Sequence, residues 1–86
     1  MLTAAPHDMS ALLRELTPIF RKALENDQLV IAPEMTARDV AGWDSLSHMS
    51  LIVEIETHFK IKFKLREIVR FKNVGDMCRA IWIATQ

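Results

Sequence analysis

The residue best placed for chemistry in this 86-residue chain is Ser45, within the stretch Gly42-Trp43-Asp44-Ser45-Leu46. Asp44 is a good N-cap, because its carboxylate can accept hydrogen bonds from the free amides of a first helical turn. Ser45 is then the first helical residue, with its hydroxyl beside unpaired N–H groups and the positive end of a helix dipole. A phosphate is held easily at such a position, so the sequence predicts an anion at this serine.

Catalysis by Ser45 itself would need a general base and a group that orients the base. The histidines are His7, His48 and His58, and none lies in a recognisable motif, although His48 could face Ser45 along the helix. A partly exposed helix histidine is the simpler interpretation. With only two glycines there is no glycine-rich phosphate loop, and no cluster of His, Cys and carboxylates has metal-ligand spacing. The sequence predicts no enzyme active site and no metal.

Composition and length fit one small domain with a modest core, since half of the residues are apolar. No apolar run is long enough to span a membrane and the first residues show no signal pattern, so we expect a cytoplasmic monomer. The only cysteine, Cys78, cannot form an intramolecular disulfide, and we expect a buried structural thiol.

The net charge is zero but divides along the chain. Residues 1–59 contain four Lys/Arg and nine Asp/Glu, a balance of −5, whereas residues 60–86 contain seven and two, a balance of +5. The neutral total argues against a nucleic-acid or membrane protein, while a local basic face remains possible.

Apolar spacing predicts the helices that must position Ser45. Residues 1–9 are expected to be a flexible tail and residues 10–86 a single domain. A first helix runs from Ser10 to near Glu25, either kinked at Pro18 or restarted there with Thr17 as the cap. Residues 26–43 are expected to form an ordered loop, with a capped turn from Thr36 to Asp39. Its packing residues are predicted to be Leu29, Val30, Ile31, Met35 and Val40.

The second helix, from Asp44 to about Phe59, has two apolar stripes. One consists of Leu51, Ile52, Ile55 and Phe59 and suffices for the core; the other consists of Leu46, Met49 and Val53. The second stripe is either further core or a surface for a partner. Residues 60–65 alternate like a strand, but no second strand exists to pair with them, so we expect an extended connection.

Two more helices complete an all-α, four-helix bundle. Ile61, Phe63 and Leu65 should anchor the connection to the core, and residues 65–70 allow only a short third helix. Asn73 caps a last helix, with Asp76 three residues on. Its buried face is predicted to be Val74, Met77, Cys78, Ile81 and Trp82.

Gly-x-Asp-Ser-Leu at the start of an amphipathic helix, with an apolar helix upstream and Phe59-Lys60-Ile61 downstream, resembles the acyl and peptidyl carrier proteins. The resemblance extends from about Leu12 to Ile83 and is carried by Gly42, Asp44, Ser45 and Leu46. It implies that a separate phosphopantetheinyl transferase esterifies Ser45 with 4'-phosphopantetheine from coenzyme A. The cofactor's thiol then holds acyl or aminoacyl intermediates as thioesters, and the carrier itself is not catalytic.

The resemblance also implies partners. These are an acyl- or aminoacyl-loading ligase and a downstream transferase or synthase, which would dock on Leu46, Met49 and Val53 with Glu54 and Glu56 as flanking acids. Fatty-acid carriers are strongly acidic along this helix, whereas this chain has Ser47, Ser50, Thr57 and His58 there. We therefore expect a dedicated pathway, such as polyketide or nonribosomal peptide synthesis, rather than housekeeping fatty-acid synthesis.

Two alternatives belong to other functional classes. One is a small helical protein-interaction module, in which Ser45 is never modified. The other is a nucleic-acid-binding domain that uses the cations of the basic segment to contact phosphates. These cations are Lys60, Lys62, Lys64, Arg66, Arg70 and Lys72.

Overall fold

The structure is a computed structural model that describes residues 8–85. Four helices follow one another: α1 (Met9–Ala23), α2 (Ser45–Phe59), α3 (Leu65–Ile68) and α4 (Val74–Ala84). No strand is assigned in the described part of the chain. The predicted all-α class with a short third helix is confirmed. Within the same residues, no helix is both long enough and apolar enough to cross a membrane.

Helix α1 is one continuous helix, so the prediction of a restart at Pro18 is wrong. Asp8 is the N-cap and accepts from the Ala11 N–H at 2.8 Å, which starts the helix one residue before the predicted Ser10. The Thr17 hydroxyl donates to the Leu13 carbonyl at 2.7 Å instead of capping a new helix. The rest of the predicted tail, residues 1–7, lies outside the described residues.

The loop of residues 24–44 packs on the core as predicted, except at Val30. Leu29, Ile31 and Val40 are buried, whereas the Val30 side chain is 74% exposed. Neighbouring residues of an extended segment point to opposite sides, so Val30 turns outward between two buried residues. The predicted Thr36–Asp39 turn is present, because an Asp39 carboxylate oxygen accepts from the Thr36 N–H at 2.9 Å.

The same loop holds the start of α4. Asn73 caps this helix as predicted, accepting from the Asp76 N–H at 2.8 Å. Two further N–H groups donate to carbonyls of the loop. The Val74 N–H donates to the Met35 carbonyl at 3.0 Å, and the Gly75 N–H donates to the Pro33 carbonyl at 2.7 Å. The free amides of the first turn are thus satisfied by the long connection.

The core lies between α1, α2 and α4, with contributions from the loop and α3. One apolar stripe of α2 enters it, and Leu51, Ile52 and Ile55 are almost fully buried. Two predictions about the C-terminal third are wrong: Leu65 is 70% exposed and Trp82 is 37% exposed. In a small domain a helix buries only the stripe that its neighbours cover, and both side chains lie outside that stripe.

Candidate functional site

The start of α2 is fixed by a reciprocal pair of hydrogen bonds. An Asp44 carboxylate oxygen accepts from the Ser47 N–H at 3.0 Å, and the Ser47 hydroxyl oxygen accepts from the Asp44 N–H at 2.8 Å. Sequence reasoning identified Asp44 as the cap but overlooked Ser47. The Asp-x-x-Ser spacing was the available signal, since the residue three positions after a cap can complete a capping box.

Ser47 also ties the helix start to the end of the loop, because its hydroxyl donates to the Gly42 carbonyl at 2.7 Å. Gly42 has a φ of +86°, a left-handed backbone that side-chain-bearing residues adopt only with strain. The glycine of the predicted attachment motif therefore has a definite structural role. It turns the chain so that the loop can enter α2.

Ser45 is the first residue of α2 and is exposed, as predicted. Its hydroxyl forms no hydrogen bond with any residue between 8 and 85, whereas the hydroxyl of nearby Ser47 is engaged in the cap. The hydrogen bond from the Ser47 N–H lowers the pKa of the Asp44 carboxyl below its usual range, so Asp44 stays ionised at neutral pH. The free hydroxyl thus lies in the first turn of a helix, next to the ionised cap.

Trp43 and His48 hold the two sides of this helix start together. The Trp43 indole N–H donates to His48 Nδ1 at 3.1 Å, and the two rings stack. Since the indole N–H is only a donor, Nδ1 is the acceptor and the proton of the neutral ring is on Nε2. Nε2 lies 3.4 Å from the Ile68 carbonyl of α3. Trp43 precedes the cap and His48 is the fourth residue after it, and these are the two positions that contact each other in a hydrophobic staple. Sequence reasoning overlooked this pairing.

His48 is therefore a structural bridge between the loop, α2 and α3. Within the described chain no histidine is hydrogen-bonded to Ser45: His58 contacts Glu15 at 3.0 Å, and His7 lies outside the described residues. No group of three or more His, Cys, Asp or Glu side chains in residues 8–85 is arranged to hold a metal ion. Among residues 8–85, therefore, the Ser45 hydroxyl has no hydrogen-bonded histidine beside it.

An open groove runs past Ser45 between the loop, the start of α2 and α3. A free serine at a helix N-terminus beside a partly apolar groove fits a phosphate ester that bears a long, mainly uncharged arm. The groove is lined by Ala37, Trp43, Asp44, Ser45, His48, Ile68, Val69 and Phe71.

The second apolar stripe of α2 is on the surface. Leu46 is 80% exposed, Val53 56% and Met49 44%, so the core alternative for this stripe is wrong. Together with Ser50 and Glu54 they line a shallow groove along the helix. Exposed apolar side chains next to one another on a small domain are typical of a contact surface.

The two acids predicted to flank this stripe are both engaged within the domain. Glu54 lies 3.3 Å from the Lys22 ammonium of α1. Glu56 accepts from the Phe63 N–H at 2.8 Å, and Lys62 lies 3.9 Å from its other oxygen. The Glu56 side chain is only 15% exposed. Glu56 therefore holds the connection after α2, and Glu54 lies at the edge of the apolar groove.

Comparison with known proteins relates this chain to a protein family and to a solved structure. A family model described as "Phosphopantetheine attachment site" matches residues 14–81, which include the whole helix start around Ser45. The fold is similar to a solution NMR structure of the holo acyl carrier protein from Geobacter metallireducens, with a TM-score of 0.79 and 49% sequence identity. That match covers 84% of this chain and 83% of the other chain.

Proposed function

Because this chain belongs to the acyl carrier proteins, the family with a phosphopantetheine attachment site, we propose that Ser45 is the residue to which the cofactor is attached. Membership of this family makes the cofactor 4'-phosphopantetheine, bound covalently. When bound, it supplies a thiol on a flexible arm that holds an acyl group as a thioester. The chain itself contributes the position of the attachment hydroxyl and the surfaces around it.

The observation that carries the proposal is the difference between Ser45 and the other serines of the described chain. The Ser47 hydroxyl is committed to the helix cap, and that of Ser10 accepts from Arg14. Ser50 is exposed but lies inside α2, away from the free amides of the first turn. Only Ser45 combines exposure, an unengaged hydroxyl and the positive end of a helix dipole, which stabilises a phosphate diester.

The residues around Ser45 would orient it rather than activate it. Asp44 and Ser47 fix the first turn, and Gly42 sets the approach of the loop. Activation of the hydroxyl is the task of a separate phosphopantetheinyl transferase, which has to supply the general base.

Intact-mass spectrometry tests this proposal. The protein is incubated with coenzyme A, magnesium and a broad-specificity phosphopantetheinyl transferase, together with the Ser45→Ala variant. We expect a gain of one phosphopantetheine in the wild type and in the matched control Ser50→Ala, and none in Ser45→Ala. Modification of Ser45→Ala, located elsewhere by fragmentation, would overturn the assignment.

We also propose that the exposed stripe of Leu46, Met49 and Val53 is a docking surface for a loading ligase and a downstream transferase or synthase. The stripe begins one residue after Ser45, so it lies beside the point at which the arm would be attached. Met49→Ser and Val53→Ser should lower kcat/KM for loading by the cognate ligase without changing the stability of the fold. The control is Thr57→Ser, an exposed residue one turn farther along α2. Unchanged kcat/KM in both variants would contradict this role.

The pathway is proposed to be a dedicated one in the cytoplasm rather than housekeeping fatty-acid synthesis. Its support is the charge of α2, whose only acids after the cap, Glu54 and Glu56, are both engaged within the domain. Acyltransferases of fatty-acid synthesis should therefore use the modified protein with much lower kcat/KM than their own carrier. Equal use of the two carriers would contradict this part of the proposal.

A further inference from the structure

Two exposed apolar side chains belong to the first residue of α3 and to its C-cap residue. Leu65 is 70% exposed and Val69 is 73% exposed. The Val69 N–H donates to the Leu65 carbonyl at 3.1 Å, so the two residues lie one turn apart on the same side of the chain. Ile68, the residue before Val69, is buried. The segment thus attaches to the core by one residue and presents two others to solvent.

Exposed cations surround this apolar pair. Within residues 8–85 none of these cations makes a side-chain ion pair. The only acid of the segment is Glu67, whose carboxylate accepts from the Lys64 backbone N–H at 2.8 Å and so caps its own turn. We call the apolar pair together with its cations the α3 face: Lys64, Leu65, Arg66, Val69, Arg70 and Lys72.

The α3 face adjoins the attachment site. Val69 and Ser45 line the same groove, and Ile68 forms part of it between them. The acids of α2 are paired within the domain with Lys22 and Lys62, and Asp44 at the groove is engaged in the helix cap. Residues 64–72 carry four Lys/Arg and one Glu, so the α3 side of the groove has a net positive charge.

We propose that the α3 face binds partner enzymes through a contact surface that carries carboxylates around an apolar patch. The role of these enzymes rests on the proposed function, because a partner that uses a group attached at Ser45 must approach the shared groove. Cations attract an acidic surface from a distance. Leu65 and Val69 add to the binding free energy only if the partner also removes them from water. That second requirement favours a protein over a nucleic-acid backbone, which offers charge but little apolar surface.

Two designed amphipathic helical peptides test the charge and apolar requirements. Both have the same leucine stripe, and the polar face is glutamate in one and lysine in the other. They are titrated into the isotope-labelled, unmodified Ser45→Ala protein and followed by amide and methyl NMR. We expect the glutamate peptide to shift the signals of residues 64–72 and the Val69 methyls. The lysine peptide should bind at least about fivefold more weakly, the factor given by about 1 kcal/mol of charge interaction.

Two variants separate the contributions. Arg66→Glu should weaken binding of the glutamate peptide by about fivefold or more, whereas the matched control Arg14→Glu, an exposed arginine of α1, should not change it. Val69→Ser should weaken binding at high salt as well as at low salt, because the apolar contact is not screened.

Several results would overturn the proposal. One is that the lysine peptide binds as tightly as the glutamate peptide, or more tightly. Another is that the NMR shifts are spread over the whole surface. The third is that a DNA oligonucleotide binds more tightly than the glutamate peptide and that Val69→Ser does not change its binding. Concentration-dependent dimerisation abolished by Arg66→Glu would instead make a second copy of the chain the occupant. Because the titration uses Ser45→Ala, its outcome does not depend on whether Ser45 is ever modified, so failure of this inference and failure of the attachment proposal are distinguishable.

Discussion

Replacing His48 by leucine should lower the free energy of unfolding by more than the replacement of an exposed histidine does. The Trp43 side chain is only 8% exposed, and its indole N–H has His48 Nδ1, 3.1 Å away, as its acceptor. His48→Leu removes the acceptor but keeps a side chain of similar size, so the main effect is a buried donor without a partner. Such a group costs about 1–3 kcal/mol, and we expect a loss of about 2 kcal/mol.

Urea unfolding followed by far-ultraviolet circular dichroism measures this loss without relying on tryptophan emission. For a domain of this size, about 2 kcal/mol corresponds to a fall in Tm of about 10 °C. His58→Leu is the matched control: His58 is exposed and pairs with Glu15, so its replacement should cost less than about 1 kcal/mol.

A double-mutant cycle with Trp43→Phe isolates the hydrogen bond from the packing. Phenylalanine has no N–H, so no donor is left unsatisfied when both residues are replaced. Trp43→Phe should therefore cost less free energy in the His48→Leu background than in the wild type. The reasoning is refuted if His48→Leu costs no more than His58→Leu, or if Trp43→Phe has the same cost in both backgrounds.

Four further predictions follow from single residues. Gly42→Ala should reduce the free energy of unfolding by about 1–2 kcal/mol because φ is +86°, and Gly42→Asn should reduce it less, since asparagine tolerates this backbone better; equal losses in urea melts would contradict the argument. Lys60 ends α2 with a φ of 58°, so Lys60→Gly should raise stability by up to about 1 kcal/mol, and a loss in the same melts would be the contrary result. The lowered pKa of Asp44 stabilises the fold above the ordinary aspartate pKa of about 3.9 and ceases to do so as the pH falls through the folded-state value. The stability advantage of the wild type over Asp44→Asn should accordingly shrink in acid melts, and an advantage independent of pH would contradict this. Burial raises the pKa of the Cys78 thiol to about 11, so stability falls as the pH rises above the unfolded thiol pKa of about 8.5. At pH 8 a thiol reagent should label Cys78 in urea but not in the native protein. Rapid labelling of the native protein would contradict this, because it would show an accessible thiolate.

Local sequence was sufficient for the helices and for the exposed position of Ser45 at the start of α2. The caps at Asp44 and Asn73 depend on a side chain that reaches an amide three residues ahead, an interaction that neighbouring letters of the sequence specify fully. The buried stripe of Leu51, Ile52 and Ile55 follows from the helical period in the same way. The motif around Ser45 indicates the family from the sequence alone, because its residues are contiguous in the chain.

Tertiary structure decided which apolar residues are covered and which charges are compensated. The sequence shows that Val30, Leu65 and Trp82 are apolar, but burial depends on what another element places over them. Val30 and Leu65 are mostly exposed, and Trp82 is only partly covered. The Lys22–Glu54 pair joins residues far apart in the sequence, as does the His48 contact with the Ile68 carbonyl. Which charges around the groove are left unpaired thus depends on long-range pairing, which only the packed helices determine.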